Sequence, residues 1–112
     1  MADAAVLDMR DMVVSNHSFG PNEIRQICNS ISEDYSQLGI LRDAVNELAQ
    51  VPDRSPAQAV RLGVSQYLLG KFSEASESLS HADGGALALF YLARTDFQLG
   101  QYDNALAHFA AA

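Results

Sequence analysis

The chain has 112 residues, with 14 acidic and 7 basic side chains and a formal net charge of −7. That length suits one domain, and with 48% of residues apolar the chain can bury a core rather than stay disordered. The acidic balance excludes duplex nucleic acid, which needs a basic stripe, and disfavours an anionic membrane face.

Residues 1–20 read as an amphipathic helix and a loop. Ala5, Val6, Met9, Met12 and Val13 fall on one side of a helical wheel, with Asp8 and Asp11 on the other. The segment is expected to pack on the first structural unit or to exchange with a second copy of the chain. It lacks the basic start of a signal peptide, and Asp8, Arg10 and Asp11 interrupt any apolar stretch. No run approaches the roughly 18–20 apolar residues that a membrane helix needs, so a cytoplasmic address and no membrane partner are expected. Cys28 is the single cysteine, which rules out an internal disulfide. Ile24, Ile27 and Ile31 around it predict a buried, inert thiol.

From residue 21 onward the chain repeats. Leu38-Gly39, Leu69-Gly70 and Leu99-Gly100 stand 31 and 30 positions apart. Five residues after each glycine comes Ala44, Ala75 or Ala105, and four further on Leu48, Leu79 or Phe109. Leu41, Phe72 and Tyr102 follow the glycines by two. Ile31-Ser32, Leu62-Gly63 and Leu92-Ala93 precede them by seven or eight. Such a period marks stacked supersecondary units. Ala59, Leu62, Val64, Leu68 and Leu69 recur with helical spacing. Ser55-Pro56-Ala57-Gln58 has the form of a capping box with proline at the first helical position. Asn22 and Asp83 are the expected caps of the other first helices. The predicted helices span 22–38, 41–50, 56–69, 72–81, 84–99 and 102–111, in pairs covering about 22–52, 55–82 and 84–112. Each glycine is expected to turn the chain with a left-handed backbone. The small residues Ser32, Gly63, Ala93, Ala44, Ala75 and Ala105 are expected where paired helices cross closely.

These residues resemble the tetratricopeptide repeat, whose pattern is Trp-x2-Leu-Gly-x2-Tyr, then Ala-x3-Phe, then Pro. The second unit reads Ala59-x2-Leu62-Gly63-x2-Gln66, then Ala75-x3-Leu79. The third reads Leu89-x2-Leu92-Ala93-x2-Asp96, then Ala105-x3-Phe109. The first reads Cys28-x2-Ile31-Ser32-x2-Tyr35, then Ala44-x3-Leu48, with Pro52 near its end. The units are three or four residues shorter than the family period of about 34, and Gln66 and Asp96 hold the tyrosine position. The resemblance implies an all-α, right-handed superhelical solenoid of antiparallel helix pairs. It also implies a protein-interaction scaffold whose first helices line a concave groove for a peptide or helix. The matching inward positions are Asn29, Glu33 and Ser36 in unit one, Val60, Val64 and Tyr67 in unit two, and Phe90, Arg94 and Phe97 in unit three. Arg94 is expected to orient an acidic group of the ligand.

No catalytic constellation competes with this reading. His17, His81 and His108 have no second histidine or cysteine at helical spacing, so no metal or cofactor is expected. Ser80-His81-x-Asp83 carries triad residue types, but sequence neighbours are not positioned as a triad, and no enzyme activity is expected. The helical pattern of residues 106–112 has no cap or stop signal, which predicts the start of a longer array. Tyr102, Leu106 and Phe109 are expected to lie uncovered on the last helix. This raises the alternative of self-assembly, as a homodimer, through that helix or residues 1–14.

Overall fold

The computed structural model describes residue 13, residues 19–82 and residues 84–112. Within them the chain is all-α. Helices α1 (Pro21–Glu33), α2 (Gln37–Ala49), α3 (Pro56–Leu68), α4 (Phe72–Ser80), α5 (Ala86–Gln98) and α6 (Tyr102–Ala111) follow one another with no strand. None of the described helices is long and apolar enough to cross a membrane. The expected N-terminal helix lies outside the described residues except for Val13. That side chain is helical and fully buried, in a core with Ile27, Leu41, Ala44, Val45, Leu48 and Leu62.

Capping residues set the helix starts. At α3 the Ser55 hydroxyl accepts from the Gln58 N–H at 3.2 Å, and the Gln58 side chain accepts from the Ser55 N–H at 2.8 Å. At α1 proline occupies the first helical position, so the cap falls on Gly20 and Asn22 is already inside the helix. The Glu23 carboxylate takes up the Gly20 N–H at 2.7 Å. Gly85 is the cap of α5, while Asp83 lies outside the described residues.

The second and third pairs turn as their glycines predict. Gly70 and Gly100 have φ of 80° and 79°. At the first turn the Lys71 N–H donates to the Gln66 carbonyl at 2.9 Å and the Gly70 N–H to Tyr67 at 2.9 Å. At the second, Gln101 donates to Asp96 at 2.8 Å and Gly100 to Phe97 at 3.1 Å. Both are Schellman motifs, which need a left-handed residue after the helix cap.

The first pair departs from prediction. Gly39 lies inside α2, and the turn falls earlier, at residues 34–36. Asp34 causes the shift. Its Oδ1 accepts from the Ser36 N–H at 3.1 Å and from the Ser36 hydroxyl at 2.7 Å, so a local side-chain turn ends α1 before the leucine-glycine step is reached. The same bonds, the hydroxyl first, lower the Asp34 carboxyl below its ordinary pKa. With α1 shortened, α1 and α2 touch only sparingly. Ser32, expected at a close crossing, is exposed. Cys28 is exposed as well, contrary to the expected burial. The apolar side of α1 runs through Ile24 and Ile27, and the next residue points about 100° away.

In the later pairs the crossing is tight. A Cβ on Gly63 would stand 2.5 Å from Leu79 Cγ and 3.2 Å from the Leu79 backbone nitrogen. Full burial of Leu79 (3% exposed) contributes about 1.5–3 kcal/mol, and only glycine leaves it this seat. Ala75, Ala93 and Ala105 are likewise buried. One turn beyond the crossing, each of these two pairs carries a polar clasp. The Ser78 hydroxyl donates to Gln66 Oε1 at 2.6 Å. One repeat later His108 Nδ1 bonds Asp96 Oδ2 at 2.6 Å. The corresponding residues of the first pair are Tyr35, which is 76% exposed in a turn, and Glu47. Gln66 and Asp96 are therefore hydrogen-bonding partners across their pairs.

Two outcomes check this architecture. Gly70→Ala is expected to lower stability by about 1 kcal/mol, since alanine resists positive φ, whereas Gly39→Ala is expected to raise it by about 0.5–1 kcal/mol. Opposite shifts of the urea midpoint confirm the turn positions, and a shift of the same sign contradicts them. His108→Ala is expected to cost about 2–3 kcal/mol by leaving a buried carboxylate unpaired, against about 1 kcal/mol for Ser78→Ala, which orphans a neutral amide. Equal losses in urea titrations contradict the Asp96 clasp.

Candidate functional site

The nine residues expected along the inner groove separate into three groups, Ser36 being exposed in the turn before α2. Asn29 and Glu33 are exposed on α1 and take no part in the hollow described below. Val60 and Val64, expected on an open surface, lie in the core with Ile24, Leu79, Ala88 and Leu92. The reason is positional. The middle pair has α2 on one side and α5 on the other, so its apolar stripe is closed from both directions. Tyr67, Phe90, Arg94 and Phe97 come together, and Gln98 and Phe109 join them around a hollow of about 390 Å³.

Each lining residue owes its place to helical spacing. Phe90, Arg94 and Phe97 run i, i+4, i+7 along α5 and share a face. Gln98 is one turn beyond Arg94. Tyr67 enters from the last turn of α3, and Phe109 from the end of α6. Phe109 is exposed on the last helix, as its position predicts, and its ring meets Phe90 edge-on with ring centres 5.8 Å apart. Nothing in the periodicity marked Gln98.

The hollow is aromatic and cationic. Phe90, Phe97 and Phe109 remain 38%, 56% and 41% exposed, which for rings of this size leaves a large apolar area facing water. Tyr67 stacks edge-on with Tyr91 at 5.5 Å and meets Phe72 at 5.5 Å. Arg94 is fixed among these rings. Its Nε donates to the Tyr67 hydroxyl at 3.0 Å, and its guanidinium carbon lies 5.6 Å from the Tyr67 ring centre and 5.5 Å from that of Phe90. Cation–π contacts at exposed sites contribute about 0.5–1 kcal/mol each. The Tyr67 hydrogen bond raises the Arg94 pKa above the ordinary arginine value. Burial raises the Tyr91 phenol, with Arg94 opposing. Among the described residues no carboxylate lines the hollow, so it offers one pre-oriented positive charge within an aromatic wall.

The described residues contain no group of three or more His, Cys, Asp or Glu side chains able to hold a metal ion. The geometry suits binding by apolar burial plus one charge-assisted hydrogen bond. Comparison with protein-family models, with curated protein sequences and with solved structures finds no match for this chain.

The Tyr67–Arg94 contact can be measured. A double-mutant cycle of Tyr67→Phe and Arg94→Met is expected to give a coupling of about 1 kcal/mol in urea unfolding. A coupling indistinguishable from zero means that the arginine is not held there in solution.

Proposed function

We propose that this chain is a protein-interaction module, a short solenoid of tetratricopeptide-like helix pairs that binds a peptide or helix from another protein. One observation carries the reading. Six of the eight large apolar side chains exposed among the described residues belong to α5, α6 and the turn between them, and three of these line the hollow around Arg94. A contiguous apolar surface rimmed by polar groups is costly to leave in water and marks a contact site. The binding residues are then Tyr67, Phe90, Arg94, Phe97 and Phe109, with Asn29 and Glu33 outside the contact. The net charge of −7 disfavours nucleic acid and an anionic membrane surface as partners.

A second reading, self-assembly into a homodimer, draws on Tyr102 and Leu106, which are 58% and 69% exposed on α6 outside the hollow. Sedimentation equilibrium separates the two. Concentration-dependent mass that Leu106→Lys abolishes supports self-assembly.

The principal test pairs Phe90→Asp with Phe97→Asp. Both side chains are exposed, so helicity by circular dichroism should persist. Peptides selected on the wild-type chain from a random library are expected to lose at least about tenfold in affinity for this variant, as for hot-spot aromatics. Unchanged affinity with an intact fold removes the hollow as the site.

A further inference from the structure

The repeat supplies a template for what fills the hollow. Shifted back by one unit of 30 residues, Phe90, Arg94, Phe97, Gln98 and Phe109 coincide with Val60, Val64, Tyr67, Leu68 and Leu79. On that earlier pair the surface is occupied. Val60, Val64 and Leu79 share a core with Ala88 and Leu92 of α5, flanked by Leu68 and Tyr91, and the Tyr67 ring meets Tyr91. The two pairs share turn and ring geometry. Their turns make the same hydrogen bonds, and the Tyr67–Phe72 ring pair at 5.5 Å recurs as Phe97–Tyr102 at 5.2 Å. The hollow is thus the open counterpart of a seat that, one unit earlier, receives a helix.

Two positions change its chemistry. Val64 and Leu68 are replaced by Arg94 and Gln98. A helix that meets Arg94 with aliphatic side chains strips water from the guanidinium and returns nothing. One that brings a carboxylate gives it a charge-assisted hydrogen bond. An extended peptide suits the seat less well. Its own N–H and C=O groups need partners, and the lining offers few polar atoms beside Arg94 and Gln98, whereas a helix satisfies its backbone internally.

Resting on the reading of the hollow as a binding site, we infer that its ligand is an amphipathic α-helix with a carboxylate on its apolar face, docked as α5 docks on the preceding pair. Small and large apolar residues four apart, like Ala88 and Leu92, form its stripe, and one Asp or Glu within that stripe meets Arg94. The hollow therefore selects for an acidic helix even though the chain as a whole is acidic.

The test titrates the full chain with three labelled, end-blocked peptides, read by fluorescence anisotropy. The first copies residues 84–101 of this chain. The second carries Ala88→Glu. The third carries Ala88→Glu and Leu89→Pro, which breaks the helix. The Ala88→Glu peptide is expected to bind about tenfold tighter than the parent and at least about tenfold tighter than the proline form. Arg94→Met in the chain is expected to abolish the preference for glutamate. Equal affinity of parent and glutamate peptides overturns the acidic requirement, and equal affinity of the proline form overturns the helical one. Absence of binding by all three, while library-selected peptides still depend on Phe90 and Phe97, overturns the inference and leaves the hollow as a site. Binding that ignores Phe90→Asp with Phe97→Asp overturns the site itself.

Discussion

Leu79 rests directly on the α3 backbone at Gly63, at a distance that no side chain on that residue permits. This contact sets how closely α3 and α4 approach, and much of the rest follows from it. With the helices that near, Ser78 reaches Gln66 across the interior, and the Gly70 turn closes the pair without strain. The next pair has Ala93 buried at the matching position, and His108 and Asp96 form its clasp. Regular pairs present regular outer faces, so α5 can lay Ala88 and Leu92 into the face of the preceding pair. The hollow at the last pair is the same face with no helix of the described chain upon it.

Much of this was legible in the sequence, for reasons that differ by element. The second and third pairs were readable because a turn that needs positive φ leaves a glycine as its mark, and because Ser55-Pro56-x-Gln58 caps a helix by local chemistry alone. The first pair misled because Leu38-Gly39 has the same form, while the deciding interaction, Asp34 with Ser36, lies outside the repeating positions. Glycine permits a turn and does not compel one.

The site was legible in composition and not in exposure. Val60, Val64 and Tyr67 have the same spacing as Phe90, Arg94 and Phe97, yet two of the first set are buried and all of the second are open. Spacing places residues on a face, and whether that face meets water depends on the neighbouring helix. The exposed Cys28 illustrates the same limit at one residue's distance from the buried Ile27. One signal was present in the residues themselves. Valine and leucine give way to arginine and glutamine at matched repeat positions, a change that a permanently buried seat resists.

The placement of α6 has a consequence for how the molecule breathes. Of its residues only Ala105 is buried, and beyond that it is held by the His108–Asp96 bond and by the Phe109–Phe90 and Tyr102–Phe97 ring contacts. Packed on α5 alone, α6 detaches by local unfolding at a lower free energy than the middle pair, which has neighbours on both sides. Phe109 leaves the wall of the hollow whenever α6 swings away, so the competent site exists only for the fraction of time that this helix is docked. Any ligand seated there draws part of its affinity into holding α6 in place, and binding and the local stability of the last pair become one linked equilibrium.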